Sequence, residues 1–195
     1  RFIPNGIERQ QPVAAQEVTR EYGLRKDDYL LFLGRIVPEK GVHYLIEAFR
    51  KLDTDKKLVI AGGSSDSAEY YEQIKQMAAQ DPRIILTGFV QGRMLQELYS
   101  NAYIYVLPSD LEGMPMSLLE AMSYGNCCLT SNIAECTEVV GNKAASFAHG
   151  SVDALYETLQ DLIQHPQKEQ EYKDQAADFI TGKYSWDSVV DQTLA

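Results

Sequence analysis

The stretch from Ser109 to Met122 combines residue types that suit an anionic, hydroxyl-rich ligand. It follows an apolar run and leads into an expected helix, with Pro115 at the helix start, where a missing N–H is tolerated. Gly113 permits a close backbone approach or an unusual φ. Glu112 and Glu120 bracket the helix start, whose backbone N–H groups and dipole attract an anion. We therefore expect a site for a phosphate-bearing, hydroxyl-rich ligand here.

A second charged loop runs from Gly34 to Gly41, directly after an expected buried strand. Gly34 gives room for a ligand, and Arg35 and Lys40 carry cations that suit phosphate oxygens. The loop lacks the GxxxxGK[ST] pattern of a Walker A motif. A simple turn with solvated surface charges remains an equal alternative for this stretch alone.

The two glutamates of the first stretch have another interpretation. Glu112 and Glu120 could be the paired carboxylates of a glycoside hydrolase. Their spacing assigns neither residue as acid or base. Glu120 has apolar neighbours in sequence, and a carboxylate in such a setting near a crevice is more often held by a ligand or a partner than free.

The composition is typical of one soluble globular domain with a sizeable core. The 195 residues are 45% hydrophobic and 24% charged. The net charge of -10 argues against nucleic acid as a partner, because such binders carry basic patches. No run approaches the roughly 18 apolar residues of a membrane span. No secretory signal is recognisable either. The odd number of cysteines, which match no redox or zinc spacing, favours a cytoplasmic protein.

The cysteines and histidines do not form a metal-binding pattern. Cys127 and Cys128 lie in an apolar run and are expected to be buried and reduced, and the three cysteines match no zinc or redox spacing. His43, His149 and His165 are scattered. We therefore predict no metal site.

Strands and helices are expected to alternate along most of the chain. Buried strands are expected as continuous apolar runs and helices as amphipathic stripes. Strands are predicted at 29–33, 57–61, 83–90, 103–107, 127–130 and 144–148, and helices at 13–22, 41–52, 69–80, 94–101, 116–124, 137–140, 152–164 and 167–180. Such alternation predicts an α/β fold, a Rossmann-like parallel sheet with helices on both faces.

Ligands of such sheets bind in the crevice beyond the carboxyl ends of the strands. Four stretches rich in glycine or charge are expected at this edge: 34–41, 62–66, 88–92 and 109–115. Their convergence is the reason to place a site there.

Three segments are expected along the chain. Residues 1–28 are polar and poorly periodic and are interpreted as an interdomain linker, 29–180 as the sheet domain, and 181–195 as a truncated C-terminal helical segment. The chain begins without an initiator methionine and ends within an expected helix, so we expect it to be a piece of a longer protein.

The ordered set of motifs resembles the retaining GT-B glycosyltransferases of the E-x7-E class. The resemblance rests on Gly34-Arg35…Glu39-Lys40-Gly41, Gly88-Phe89-Val90, Pro108-Ser109…Glu112-Gly113-Met114-Pro115…Glu120-Ala121-Met122 and Gly125. It extends from Asn5-Gly6 to about Trp186. The resemblance implies one of the two Rossmann-like domains of a GT-B enzyme, the C-terminal domain, which binds the nucleotide-sugar donor. The N-terminal acceptor-binding domain is outside this sequence.

The resemblance also implies a role for each matching residue. Arg35 and Lys40 would bind the donor pyrophosphate, Glu120 the ribose hydroxyls, and Glu112 the hydroxyls of the donor sugar. The remaining implied donor contacts are Gly34 beside the ligand, Phe89 and Val90 at the base, the backbone amides of Gly113, Met114 and Met116, and Leu119 nearby. Tyr184-Ser185-Trp186 resembles the closing segment of the family, which crosses back toward the N-terminal domain.

The implied activity is hexosyl transfer from a nucleoside diphosphate sugar, with a UDP-sugar as the preferred expectation. The acceptor would be a glycan or another hydroxyl compound, in the synthesis of cell-surface polysaccharide or glycoconjugates. No further cofactor is implied, and the isolated domain should not transfer sugar. Peripheral membrane contact of the longer protein stays open, although no basic amphipathic stretch argues for it.

The sequence departs from the family pattern at two places. Asn126-Cys127-Cys128 replaces the usual Pro and small residues after Gly125, and Asn132 to Glu135 replaces a Gly-rich stretch.

Two alternative functions remain. One alternative is a GT-B epimerase or phosphorylase, which product analysis would identify. The other is a non-catalytic module that binds a nucleotide sugar and transfers nothing.

Overall fold

A computed structural model describes residues 6–64 and 67–185 of the chain. Strands and helices alternate along it, with a 3-10 turn at Pro38–Lys40 after the first strand. The strands are β1 (Tyr29–Leu33), β2 (Lys57–Ala61), β3 (Ile84–Gly88), β4 (Ile104–Leu107), β5 (Cys128–Ser131) and β6 (Ala145–Phe147). The helices are α1 (Glu17–Tyr22), α2 (Val42–Arg50), α3 (Ala68–Ala79), α4 (Gly92–Asn101), α5 (Met116–Ser123), α6 (Ala134–Val140), α7 (Val152–Gln164) and α8 (Pro166–Lys183).

The predicted elements all occur, and the differences lie at their ends. The third strand ends at Gly88, whose φ of 73° turns the chain out of the sheet before Phe89. The last helix begins at Pro166, one residue earlier than predicted, because proline is favoured in the first helical turn. The first helix is shorter than predicted and begins at Glu17. The sixth helix begins at Ala134, three residues before the predicted start.

All six strands form one parallel sheet in the order β3-β2-β1-β4-β5-β6. Leu31 pairs with Val59 on one side and with Tyr105 on the other. Helices cover both faces, which explains why these strands are continuous apolar runs and do not alternate. The α/β, Rossmann-like prediction is confirmed. The order reverses direction between β1 and β4, and this topological switch point is where such sheets open a crevice for ligands.

Two glycines allow the loops at this edge to approach closely. A Cβ on Gly41 would lie 2.1 Å from the carbonyl oxygen of Pro108, and one on Gly62 would lie 1.8 Å from that of Gly34. Both glycines also have positive φ, 72° and 145°. Only glycine satisfies both conditions without displacing the backbone. These contacts fix the loop after β1 against the loops after β2 and β4.

The residues before β1 pack onto the sheet domain. Val18 and Leu24 are buried in the same core as the strands. Asn101 donates a side-chain hydrogen bond to the carbonyl of Val13 at 3.1 Å. The carboxylate of Glu97, fully buried, accepts from the backbone N–H of Gln16 at 2.5 Å. Residues before the predicted boundary at residue 29 therefore already pack against the sheet domain. An interdomain role for residues 1–28 stays a prediction.

Replacing Glu97 by glutamine should loosen this docking. Burial alone would raise the pKa of Glu97, but hydrogen bonds from Gln16, Arg93 and Val18 outweigh it and the pKa is lowered. The charged bonds lost in the variant are expected to cost about 1–3 kcal/mol of unfolding free energy in urea at pH 7. Glu72→Gln, an exposed control on α3, should change it by less than about 0.5 kcal/mol.

The pH dependence gives a second readout for this variant. A lowered folded-state pKa means that the contribution of Glu97 is present above the ordinary value of 4.5 and is lost as the pH falls through the folded-state pKa. The difference between wild type and Glu97→Gln should therefore shrink in acid below that value. Equal stability of the two proteins at pH 7 would contradict the docking role.

The C-terminal part of the described chain is one continuous helix. The eighth helix crosses the predicted boundary at residue 181 without a break and ends at Lys183. Tyr184 is buried, and its carbonyl accepts from the backbone N–H of Ile7 at 2.7 Å. The two ends of the described chain thus meet. Trp186 and the rest of the predicted segment to residue 195 lie outside the described residues.

All three cysteines are unbridged and buried, as predicted for Cys127 and Cys128. Burial raises the pKa of the Cys136 thiol to about 12 and that of the other two as well. These thiols therefore remain protonated near neutral pH and behave as small core residues. Within residues 6–64 and 67–185, no helix is long and apolar enough to cross a membrane.

Candidate donor-binding site

The carboxyl ends of the central strands bring most of the predicted site residues to one edge. Gly34 and Arg35 follow β1, Phe89 and Val90 follow β3, and the loop containing Glu112 follows β4. Because parallel strands share one direction, these loops meet at the same edge of the sheet, on either side of the switch point. The predicted convergence of the glycine-rich and charged stretches is thus seen in the fold, apart from residues 65–66 of the second stretch, which lie outside the described residues.

The centre of the site is an ion pair between Lys40 and Glu112. The Lys40 Nζ donates to Glu112 Oε1 at 2.8 Å, and the Ser109 hydroxyl donates to the same oxygen at 2.7 Å. The two charged side chains are 18% and 4% exposed. Both bonds go to Oε1, and within the described part of the chain no hydrogen bond reaches Oε2. Oε2 can therefore accept a hydrogen bond from a ligand hydroxyl. The Lys40 ammonium has further N–H donors for an anion.

The backbone holds Lys40 in this position. The 3-10 turn at Pro38–Lys40 ends at Gly41, whose N–H donates to the Pro38 carbonyl. The carbonyl of Glu39 accepts from the N–H of Asp110 at 2.8 Å. Lys40 and Glu112, 72 residues apart in the chain, are thereby brought together by loops that bind each other directly.

Asp110 is a site residue that the sequence did not single out. Its Oδ1 lies 2.6 Å from His149 Nε2, and its Oδ2 accepts from the Tyr44 hydroxyl at 3.1 Å. The backbone N–H of His149 in turn donates to Asn132 Oδ1 at 2.9 Å. His149, read from the sequence as one of three scattered histidines, thus joins the loops after β4, β5 and β6 at the rim of the site. No local pattern indicates a contact that spans 39 residues.

An apolar depression of about 200 Å³ opens beside the switch point. Gly34, Arg35, Gly62, Phe89 and Val90 are among its lining residues. Phe89 is 77% exposed, which is unusual for a large apolar side chain. The structure thus brings Gly34, predicted beside the ligand, together with Phe89 and Val90, predicted at the base.

Glu120 lies in the fifth helix, lines a different cavity from Glu112 and is held by a tyrosine. The Tyr99 hydroxyl donates to Glu120 Oε2 at 3.1 Å, and the Tyr99 ring stacks on Tyr124 with centroids 5.1 Å apart. Burial raises the pKa of Tyr99 far above its ordinary value, and the neighbouring Tyr105 and Glu120 charges add to this. Tyr99 therefore stays a donor. Glu120 lines an open cavity of about 300 Å³ that also includes Gly92 and Leu95.

The start of α5 differs in part from the prediction. The Met116 N–H, predicted as a ligand donor, donates at 2.8 Å to the carbonyl of Met114. Leu119, predicted to pack near the donor, is fully buried in the core, and its N–H donates to the Pro115 carbonyl. Gly113 has no positive φ, and a Cβ there would meet no atom within 4 Å. Open space at Gly113 leaves the backbone of Gly113 and Met114 accessible from the crevice.

No metal site is evident in the described part of the chain. Within residues 6–64 and 67–185, no three histidine, cysteine, aspartate or glutamate side chains group closely enough to hold an ion. The positive charge at the centre of the site comes from Lys40, and Arg35 lines the apolar depression.

The fold and the site together define a class. A parallel sheet with a switch point, a buried cation–carboxylate pair at the strand ends and an adjacent apolar depression form the architecture of the C-terminal, Rossmann-like domain of a GT-B glycosyltransferase. Residues 15–179 match the family described as glycosyl transferases group 1. The chain belongs to this family.

Relatives of known sequence agree with this assignment. An uncharacterised glycosyltransferase of Methanocaldococcus jannaschii is 30% identical over 189 residues, which are 90% of this chain and 46% of the relative. The alpha-maltose-1-phosphate synthase of Mycobacterium tuberculosis is 27% identical, over 98% of this chain and 54% of the enzyme. The chain therefore spans about half the length of the curated relatives it matches.

Solved structures show the same fold. HepE of Anabaena, in complex with UDP and glucose, superposes with a TM-score of 0.88 at 18% identity, over 98% of this chain and 55% of HepE. The C-terminal domain of LpcC, a group 1 glycosyl transferase of Francisella tularensis, superposes with a TM-score of 0.79 at 22% identity. That alignment covers 93% of this chain and all of the LpcC domain.

Proposed function

We propose that this domain binds the nucleoside diphosphate sugar donor of a retaining glycosyltransferase of the E-x7-E class. The observation that carries the proposal is the Lys40–Glu112 pair at the switch point, in which both internal hydrogen bonds go to one oxygen of a glutamate that lines a cavity. A diphosphate needs the cation, and a sugar hydroxyl needs the acceptor. The UDP and glucose bound to HepE support a UDP-sugar as the donor.

Each part of the donor has a partner in this proposal. Lys40 and Arg35 bind the diphosphate, and Glu112 Oε2 accepts a hydroxyl of the sugar. Glu120, oriented by Tyr99, accepts hydrogen bonds from the ribose hydroxyls. The base lies in the apolar depression against Phe89, whose exposure would then be relieved by the ligand.

The same groups would favour bond cleavage. As the bond between the sugar and the diphosphate breaks, negative charge grows on the departing diphosphate, where Lys40, Arg35 and the accessible amides of Gly113 and Met114 stabilise it. Positive charge grows on the sugar, beside the carboxylate of Glu112. Because the protein supplies both charges, the proposed transfer uses no resident cofactor. The acceptor would be bound by a separate N-terminal domain, so this domain alone should transfer no sugar from the donor.

In the whole protein we propose hexosyl transfer to a glycan or another hydroxyl acceptor. The names of relatives support this direction, among them the O-antigen chain mannosyltransferase B of Escherichia coli, 28% identical over 74% of this chain. We place the product among cell-surface polysaccharides or glycoconjugates and the protein in the cytoplasm. Product analysis of the whole protein with water or inorganic phosphate as the acceptor would separate transfer from epimerisation or phosphorolysis.

A calorimetric screen of the 195-residue chain tests donor binding. UDP, GDP and ADP are titrated separately at equal ionic strength. One of the three is expected to bind with a dissociation constant in the micromolar to millimolar range, on the order of 1 μM to 1 mM, as for typical enzyme substrates. Absence of binding by all three would contradict the proposal.

A further inference from the structure

A cavity of about 400 Å³ adjoins Glu112 and lies partly outside the roles described so far. Its walls come from the loop after β4, from α6 and from the end of the described chain. The lining residues are Glu112, Gly113, Met114, Glu135, Glu138, Val139 and Tyr184. Three of these seven are carboxylates, and no lysine, arginine or histidine is among them.

The carboxylates of this cavity are not equally compensated. Glu112 is paired with Lys40. The side chains of Glu135 and Glu138 are exposed, and within residues 6–64 and 67–185 neither makes a hydrogen bond or a salt bridge. Lys183 lies close to Glu138, but its ammonium donates to the backbone carbonyls of Glu138 and Val139. Two negative charges therefore face the cavity with no direct cationic partner on the described chain.

An independent feature connects this cavity with a ligand. The Glu112 side chain is only 4% exposed, yet Glu112 lines the cavity and its Oε2 is reached by no hydrogen bond in the described chain. The second oxygen of this carboxylate is therefore available to accept a hydrogen bond from a ligand or from solvent. In the proposed function, that partner is a hydroxyl of the transferred sugar.

Resting on that proposed function, we infer that this cavity selects the charge of the transferred sugar. Glu135 and Glu138 make the cavity favourable for a neutral or an aminated sugar and unfavourable for an anionic one such as a uronic acid. A carboxylate on the sugar would meet two like charges, while the nearby cations are engaged, Lys40 by Glu112 and the diphosphate and Lys183 by backbone carbonyls. Hydroxyl and ammonium groups would instead meet acceptors. Discrimination by repulsion of the wrong ligand is an established route to specificity.

The size of the effect follows from the exposure of the two carboxylates. Exposed charges are screened by water and salt, so the discrimination should be moderate and should weaken as the ionic strength rises. We expect a preference of about tenfold for the neutral sugar in low salt. The preference should decrease clearly near 0.5 M salt.

The test compares two donors that differ only at C6 of the sugar. UDP-glucose and UDP-glucuronate are titrated calorimetrically into the full chain, with UDP as the reference ligand. If the nucleotide screen selects guanosine, GDP-mannose, GDP-mannuronate and GDP take their places. The neutral donor should bind about ten times more tightly than the anionic one.

Variants then assign the effect to the two glutamates. In Glu135→Gln with Glu138→Gln, the ratio of the two affinities should fall to within about threefold. Glu171→Gln, an exposed position on α8, removes a charge elsewhere and should leave the ratio unchanged. Both glutamates are exposed, so neither substitution should prevent folding.

The outcomes separate the inference from the proposed function. If none of UDP, GDP and ADP binds, the donor-binding proposal itself fails. If the nucleotide binds but neutral and anionic donors bind equally, the charge selection is wrong although donor binding stands. If the preference exists and the double variant retains it in full, its assignment to Glu135 and Glu138 is wrong.

Discussion

Replacing Lys40 by alanine is expected to weaken nucleoside diphosphate binding by about 30- to 100-fold. Lys40 is the cation held at the switch point by Glu112 and by the backbone bonds of its loop. A fixed ammonium binds phosphate without an ordering cost, whereas the exposed Arg35 must be immobilised first. Calorimetric titration of the nucleotide selected in the screen measures the effect directly.

Nucleotide binding must be measured under conditions in which the variant is as fully folded as wild type, because Lys40 also compensates a nearly buried carboxylate. Removing Lys40 leaves Glu112 with Ser109 as its partner, at a cost of about 1–3 kcal/mol of stability after allowance for the 18% exposure of Lys40. Combining Lys40→Ala with Glu112→Gln should restore part of this stability without restoring nucleotide affinity. Lys51→Ala, which removes an exposed ion pair with Asp153, is the matched control. Equal nucleotide binding by wild type and Lys40→Ala would contradict the phosphate assignment.

The fold could be predicted because its determinants are local. The central strands are short apolar runs buried on both faces, such as Tyr29–Leu33, and the helices between the strands carry apolar stripes of their own. The order of these elements already implies a parallel sheet and therefore a ligand edge. The ends were less certain because they depend on single backbone conformations, as at Gly88, where a positive φ ends the third strand.

The site could be predicted only in part, because its contacts join distant loops. Lys40 and Glu112 were identified through the family motif, but their pairing with each other follows from loop contacts that no local pattern encodes. The same holds for Asp110 with His149 and for Tyr99 with Glu120, which are 39 and 21 residues apart.

The predicted amide donors illustrate a further limit of the sequence. The sequence pattern does not distinguish the backbone N–H groups of Gly113, Met114 and Met116, which lie on either side of Pro115. In the structure, the N–H of Met116 donates within its own turn, and those of Gly113 and Met114 remain accessible. Which N–H groups stay free is decided by the turn geometry at the helix start, which side-chain identity constrains only weakly.

Glu112→Gln is the substitution that should separate sugar recognition from nucleotide recognition. Glutamine keeps the shape of the side chain, and its amide oxygen can still accept from Ser109. The charge that faces the sugar is lost, and Lys40 is released from its ion pair. Nucleotide affinity should therefore stay within about threefold of wild type or increase, while the additional affinity contributed by the sugar is lost.

In the whole protein, the same variant should lower the rate of sugar transfer by about 100-fold or more, because the carboxylate acts on charge that develops in the transition state. Glu120→Gln provides the contrast. Glu120 is proposed to bind ribose, which free nucleotide and nucleotide sugar share, so this variant should weaken both ligands equally. A Glu112→Gln protein that loses nucleotide and nucleotide sugar affinity in the same proportion would place Glu112 at the nucleotide and not at the sugar.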